Sequence, residues 1–305
     1  MPYIYLDKKR KVMVASVSII LALTPLFMIP FYINEIIESI RVIGFGIILV
    51  TSLKFNTILS LSIILGLLPY SIIDFLNRRY LDAIDRDLGP FFKGLGESIR
   101  AGMTFTEALE NIAKVIFGPL SNELKKVIVR VEFGMTIRDA LEDFAERINL
   151  PSIQRAVVIL TTAHESGGKI VDVLDAAAEM YNMIRAYEEE KRTIIAPYAW
   201  TIYIAILIYL FISFILIYAF FIPLHYMATK GGLFAVALDI PSYKTILFHS
   251  SILEALIGGF IVGKLKTGKT ASGAIHSIIM LTIVIIFYNS MDILGKMIHI
   301  IPISI

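Results

Sequence analysis

Long apolar runs alternate with one long polar segment along this chain. Five runs are long enough to cross a hydrocarbon core, which needs about 20 apolar residues per helix. They lie at 12–33, 55–76, 194–222, 245–262 and 271–290. The apolar stretch 42–53 is too short to cross alone, and we interpret it as an approach helix or an extension of the second span. The pattern predicts five transmembrane helices.

The polar segment, residues 77–193, has a helical pattern of its own. Apolar positions recur at intervals of three and four residues, as in the stripe formed by Phe105, Leu109 and Ile112, which is the helical period. No part of the segment alternates convincingly like a strand. Short connections between about six such helices favour an antiparallel bundle. We therefore predict an all-α membrane protein with three domains, at 1–76, 77–193 and 194–305.

A short motif recurs three times within the polar segment. Its pattern is Gly-x4-acid-[Ala/Val]-Leu-acid-x2-Ala, and the copies begin at Gly102, Gly134 and Gly167. These starts are 32 and 33 residues apart, close to the period of stacked helix-turn-helix units. The spacing indicates one helical module built from related pieces.

The motif has a plain structural explanation in its first copy. Gly102 can take an open or left-handed turn without steric cost. Thr104 then lies where a helix N-cap belongs, and Glu107 follows three residues later, which is a capping-box sequence. We expect these residues to be mainly architectural, with a partner surface assembled around them as the alternative.

The second copy differs slightly from the first, and the third copy differs more. Gly134, Thr136 and Asp139 repeat the arrangement, but an aspartate is shorter than a glutamate and closes the box less readily. The third copy has Gly167 and Gly168 without a threonine cap, so we expect a looser turn there.

Composition agrees with a chain that lies mostly in a membrane. Hydrophobic residues make up 57% of its 305 residues and charged residues 18%, and the mean hydropathy is +0.76. No cysteine is present, which excludes disulfides, zinc-thiolate sites and a thiol nucleophile. Residues 77–193 hold 16 Lys and Arg against 19 Asp and Glu, and this acidic balance disfavours nucleic acid as a partner.

Basic residues near span ends predict the orientation, because they are retained in the cytoplasm. Residues 8–11 are all basic, and the loop 263–270 carries three lysines and no acid. Placing both in the cytoplasm puts 77–193 there as well, and leaves 34–41, 223–244 and the carboxyl terminus outside. The first run resembles a signal peptide, but its length and the lack of a small-x-small cleavage site favour an anchor.

The repeated motif also carries a family resemblance. The segments IRAGMTFTEALENIA, EFGMTIRDALEDFAER and ESGGKIVDVLDAAAEM, the last ahead of a long apolar helix, resemble the F domain of type II secretion and type IV pilus systems. The order of elements is similar to that of the shorter platform proteins of tight-adherence pili and archaellum machines. The resemblance covers roughly 88–222, and three copies in order make it specific.

The resemblance implies a non-enzymatic role without a cofactor. Platform proteins of this kind engage a hexameric secretion ATPase through the helical domain. They couple its motion to the extraction of pilin or archaellin subunits from the membrane. Members of the family often carry two F domains, whereas this chain has one. We therefore expect a homodimer or pairing with a second platform protein.

The loop 263–270, GKLKTGKT, also satisfies the phosphate-binding pattern GxxxxGK[ST]. A working loop of that kind follows a β-strand and opens a helix, whereas this one lies between two membrane spans. We interpret it as a basic inner loop that fixes topology. Lys264, Lys266 and Lys269 are then candidate contacts for the ATPase or for anionic membrane lipid.

Two ionisable residues fall within the fourth predicted span. His249 and Glu254 are costly there unless they face protein, and five positions apart they share a helix face only approximately. We expect helix pairing or a contact with a pilin. The alternative is a small transporter or channel with these residues as its polar path, although no inverted repeat of transporter type is evident.

Overall fold

The chain divides into two compact units. The computed structural model describes residues 8–43, 46–229 and 239–299. The first unit, Phe75–Thr193, is called the bundle unit below. The second, the membrane unit, joins the described residues up to Asp74 with those from Ile194 onwards. The apolar regions at the two ends of the chain, predicted as separate domains, thus pack together in one unit.

Six helical segments build the bundle unit, as the periodic pattern predicts. Two long helices, α3 and α8, each contribute to both units, and four shorter helices lie between them in sequence. The bounds are α3 Leu53–Arg100, α4 Phe105–Val115, α5 Pro119–Glu132, α6 Ile137–Ile148, α7 Pro151–Glu165 and α8 Ile170–Ile215. Both long helices contain prolines within their length, Pro69 and Pro90 in α3 and Pro197 in α8.

The predicted apolar stripes form the core of the bundle unit. Phe105, Leu109 and Ile112 are all buried along α4, and equivalent positions of α5, α6, α7 and α8 join the same cluster. The segments of α3 and α8 in this unit run antiparallel. Phe92 stacks on Tyr181 with ring centroids 5.3 Å apart, while Arg100 pairs with Asp175 nearer the start of α8. Burial of these stripes is what holds each short helix in place.

The membrane unit contains the rest of the described chain. Five helices, counted over the described residues, are long and apolar enough to cross a membrane, in agreement with the five predicted spans. Besides parts of α3 and α8, its elements are α1 Lys8–Leu23, α2 Ile33–Glu38, β1 Ile40–Ile43, β2 Ile47–Val50, α9 Ile222–Thr229, α10 Ile240–Thr267 and α11 Ala274–His299.

Small residues set the packing of α10 against α11. A Cβ atom at Gly263 would lie 2.1 Å from the backbone nitrogen of Gly273, and one at Gly259 would lie 2.2 Å from that of Ser277. Glycine and serine therefore allow the two backbones to approach closely, which is how helices commonly associate within membranes.

One local prediction in the membrane unit is wrong. Residues 42–53 were predicted as an approach helix or an extension, but β1 and β2 pair there as antiparallel strands, with Ile40 opposite Val50. Isoleucine and valine dominate both strands, and β-branched side chains favour extended backbone. The first span agrees in position with the prediction, but it is not α-helical throughout, because Pro25–Tyr32 is a 3-10 helix between α1 and α2. Pro25 and Pro30 lack the amide hydrogen that a continuous α-helix requires.

Candidate functional site

The first copy of the motif forms a closed turn between α3 and α4. The amide of Gly102 donates to the carbonyl of Ile99 at 2.9 Å, and the amide of Met103 donates to that of Ser98 at 3.2 Å. Gly102 has a φ of +96°. These two bonds and the left-handed glycine form a Schellman motif, which satisfies the last carbonyls of α3.

The second copy closes α5 in the same way. The amide of Gly134 donates to Val131 at 2.9 Å and that of Met135 to Arg130 at 3.0 Å. Gly134 has a φ of +92°. The sequence Gly-Met-Thr therefore ends one helix and prepares the next in both copies.

The threonine after each of these turns caps the following helix. Thr104 accepts a hydrogen bond from the amide of Glu107, whose carboxylate in turn accepts from the amide of Thr104, so the predicted capping box is complete. The bond from the Thr104 amide lowers the pKa of the Glu107 carboxyl. Thr136 accepts from the amide of Asp139 at 3.1 Å. The structure thus gives both threonines the N-cap position that the spacing predicts.

The third copy is built differently. Gly167 has a φ of +56°, but Gly167–Lys169 forms a short 3-10 turn without a side-chain cap. Gly168 has open space where a Cβ atom would lie and does not take a left-handed φ. This looser geometry follows from the missing threonine, because the hydroxyl of Ser166 donates to the carbonyl of Ala163 and does not cap the amides that follow.

The three turns lie at one end of the bundle unit. The ring of Phe105 at the start of α4 lies 4.9 Å from that of His164 near the end of α7. Arg138 at the start of α6 forms an ion pair with Glu165, the last residue of α7. We call this end, which contains Gly102, Gly134 and Gly167, the turn end. The fold therefore assembles the three sequence copies into one surface.

A buried carboxylate ties three helices together away from the turns. Glu123 on α5 is 3% exposed and accepts hydrogen bonds from Tyr80 at 2.9 Å, from Lys126 at 2.6 Å and from Arg147 at 3.0 Å. Burial alone would raise the pKa of Glu123, but the hydrogen bonds from Lys126 and Tyr80 hold that pKa below its usual value. The network is fully satisfied and is structural. The periodicity of the sequence could not have identified this network, because Tyr80 and Arg147 are distant from Glu123 in sequence.

The basic loop joins α10 to α11 without a sheet beside it. Gly268 takes a left-handed φ of +73° and ends α10, and Lys269 precedes a short 3-10 turn. Lys264, Lys266 and Lys269 are exposed. A helix-turn-helix connection does not present backbone amides as a strand-to-helix phosphate-binding loop does, so the structure offers no support for nucleotide binding there.

The two intramembrane ionisable residues do not pair with each other. The His249 ring nitrogen Nε2 lies 2.9 Å from the amide oxygen of Asn56, and the Asn56 amide nitrogen donates to Val50. His249 thus joins α10 to α3 as an interhelical contact. Within residues 8–43, 46–229 and 239–299, no side chain forms a hydrogen bond or ion pair with Glu254.

A polar cluster in the membrane unit was missed at the sequence level. Asp292 on α11 accepts hydrogen bonds from Lys244 at 2.6 Å and from Tyr218 at 2.8 Å, beside a cavity of about 320 Å³. Tyr218 lies in a π-helical segment, Leu216–Phe221, and packs against Gly295, where a Cβ atom would lie 1.8 Å from its ring. In the sequence, the only sign of this cluster is a lysine and an aspartate in or beside two different apolar runs. The spacing between such residues is not fixed, so no motif identifies the pair.

Metal chemistry has no support in the described part of the chain. No group of three or more His, Asp or Glu side chains among those residues is arranged to hold a metal ion. The features that stand out are the turn end, the basic loop and the polar cluster around Asp292.

Comparison with known proteins gives a match that covers the turns. Residues 91–218 match the family described as Type II secretion system (T2SS), protein F. Uncharacterized protein MJ1286 of Methanocaldococcus jannaschii is 25% identical over 198 residues, which cover 63% of this chain and 31% of that protein. The aligned part of this chain thus spans less than a third of that relative's length. No solved structure matches the chain.

The left-handed glycines give a direct test of the turn geometry. Replacing Gly134 by alanine places a Cβ atom in a conformation with positive φ, which is expected to cost about 1–2 kcal/mol. Gly168→Ala is the matched control, because Gly168 lies in open space without a left-handed φ. Amide hydrogen exchange should show faster opening of α5 and α6 in Gly134→Ala and unchanged exchange in the control. Equal exchange in both variants would contradict the assigned role of φ.

The Glu123 network gives a pH-dependent test. A carboxyl whose pKa is lower in the folded state stabilises the fold above its unfolded pKa, and this stability is lost as the pH falls through the folded value. Glu123→Gln should therefore lower stability by about 2 kcal/mol at about pH 7, since hydrogen bonds to a charged group are lost. The difference in stability between the variant and the unmodified chain should become smaller at about pH 3. Thermal denaturation followed by circular dichroism in detergent measures both, and a pH-independent deficit would be contrary to this account.

Proposed function

We propose that this chain, in which residues 91–218 form a type II secretion system protein F domain, is a platform protein of a filament assembly machine. The machine is of the type IV pilus or archaellum kind. In this proposal the chain binds a hexameric secretion ATPase and couples nucleotide-driven motion to the extraction of pilin or archaellin subunits from the membrane. The role is mechanical and non-enzymatic.

The observation that carries the proposal is the protein F match over the folded turns. The matched range begins within α3 and ends within the π-helical segment that follows α8. It therefore includes the four short helices, all of α8 and the end of α3. Five helices with the length and composition of membrane spans complete the arrangement of a multi-pass membrane protein.

The continuity of α3 and α8 supports a mechanical role. Each is one helix over 48 and 46 residues respectively, and each belongs partly to the bundle unit and partly to the membrane unit. The peptides of both helices are hydrogen-bonded along the axis except at Pro69 and Pro90 in α3 and Pro197 in α8, which have no amide hydrogen. Motion imposed on the bundle unit would therefore reach the spans through two helices rather than through loops.

The proposed orientation places the bundle unit and the amino terminus in the cytoplasm. Basic residues at 9–11 and at Lys264, Lys266 and Lys269 support this side by the positive-inside rule. The segment 34–41 and the carboxyl terminus are then outside. Both termini and residues 230–238 are not among the described residues. A single protein F domain in the chain supports pairing with a second copy or a second platform protein.

Genetic complementation tests the proposed function. Deletion of the chain should abolish filament assembly, because subunits would remain in the membrane, and the unmodified chain should restore it. The purified chain in lipid nanodiscs should retain the secretion ATPase in a pull-down and raise its rate of nucleotide hydrolysis. Normal filaments in the deletion strain would rule the proposal out.

Single cysteines test the orientation cleanly, since the chain has none of its own. Asn34→Cys should react with a membrane-impermeant maleimide on intact cells, whereas Gly168→Cys should react only after lysis. Both positions are exposed, and the unmodified chain is the control for background labelling. Labelling of Gly168→Cys from outside would place the bundle unit on the wrong side for any cytoplasmic ATPase.

A further inference from the structure

The turn end of the bundle unit exposes apolar side chains. Phe133 is 88% exposed, and Met103 and Met135 are 38% and 40% exposed. The two methionines occupy the same position in two turns of equal geometry, directly after the left-handed glycines. Burial of apolar side chains is favourable, and Phe133 gains little of it within the bundle unit, while each methionine keeps more than a third of its surface in water. We call Met103, Phe133 and Met135 the apolar tip.

Carboxylates surround the apolar tip. Three segments meet at the turn end, and together they contain nine acids against four bases. The segments are 97–114, 132–142 and 165–175, and Lys114 is counted with them because it pairs with Glu110. The opposite end has the reverse balance, with ten bases against eight acids. Its segments are 77–87, 115–126, 146–155 and 185–193. The bundle unit is therefore electrically polar along its length.

Helix capping accounts for some of these acids. Glu107, Asp139 and Asp172 lie in the first turn of α4, α6 and α8. A carboxylate there interacts favourably with the positive end of the helix dipole. These three acids would be expected at the turn end without any partner.

Two further acids oppose the helix dipole. Glu97 lies in the last turn of α3, and Glu132 is the last residue of α5. Both are exposed, and neither forms an ion pair with another described residue. A carboxylate at a helix C-terminus is repelled by the negative end of the dipole. The stability of the helices therefore does not explain these two acids. A basic group on another molecule would offset the repulsion between them and the helix dipole.

We infer that the turn end is the surface through which the bundle unit binds the secretion ATPase, and that it engages a basic face with an apolar depression. The inference rests on the proposed function, in which the secretion ATPase is the protein that binds this surface. Charge complementarity identifies the chemistry of the partner. The rim carboxylates would steer the encounter, and burial of the apolar tip would supply most of the affinity.

The experiment titrates the purified hexameric ATPase against the full chain in lipid nanodiscs, at low and at physiological salt. Phe133→Ser should weaken binding roughly tenfold, since an exposed aromatic anchor is lost. The double variant Glu97→Gln with Glu132→Gln should weaken binding roughly threefold at low salt and reduce the salt dependence. Its thermal midpoint should stay equal or rise, because two charges that oppose the dipole are removed. A fall in the midpoint would point to a structural role for these acids and overturn the inference.

Matched controls come from the opposite end. Phe117 is 89% exposed and lies just before α5, whereas Phe133 lies just after it, so Phe117→Ser removes an equally exposed ring. The double variant Glu146→Gln with Glu190→Gln removes the same charge from that end. Both controls should bind the ATPase as the unmodified chain does.

The outcomes separate the inference from the proposed function. Weaker binding in Phe117→Ser with unchanged binding in Phe133→Ser would overturn the turn end as the surface and leave the platform role intact. Loss of self-association in Phe133→Ser, with unchanged ATPase binding, would assign the surface to a second copy and overturn the inference. No binding by the unmodified chain would refute the proposed function itself.

Discussion

The left-handed backbone at Gly102 and Gly134 is the constraint on which the bundle unit depends. Each glycine ends one helix, and two residues later a threonine begins the next. A side chain at these glycines would oppose the conformation that satisfies the last carbonyls of the helix. Because the chain reverses within so few residues, consecutive helices pack against each other and bury the stripes that neither could bury alone. The repeat in the sequence is thus a repeat of chain reversals.

The same reversals concentrate charge at one end. Helices that begin at the turn end bring acids suited to their amino termini, and this contribution needs no function. Glu97 and Glu132 are different, because they lie where the helix dipole disfavours a carboxylate. Acids that cost stability, next to apolar side chains left in water, are typical of a surface completed by another molecule. In the interface that we propose, stability and recognition would therefore depend on separate sets of residues.

In the membrane unit, polar groups are mostly accommodated by pairing between helices. His249 meets Asn56, and Asp292 meets Lys244 and Tyr218. Such pairs satisfy groups that would be costly against lipid and specify which helices are neighbours. Close approach of α10 to the chain at the start of α11, where Gly263 meets Gly273, adds a second kind of specificity, based on shape. Glu254 has neither kind of contact among the described residues.

The sequence by itself determined the features with a local physical cause. Apolar length predicted the five spans, a period of three to four predicted the six helical segments, and the glycine-led motif predicted the turns and the Thr104–Glu107 capping box. Each depends on residues within one helical turn or on the length of one run. The pairing of β1 with β2 was missed, since a short apolar run of β-branched residues fits a helix extension or a strand equally well by pattern.

Only the tertiary structure decided which distant residues meet. The Glu123 network joins residues from positions 80 to 147, and the Asp292 cluster joins three helices. Periodicity says which face of a helix is buried but not which helix it meets, so no local pattern identifies these partners. The same holds for the turn end. The three copies are spaced along the chain, and antiparallel packing is what brings their glycines, the apolar tip and the acids to one surface.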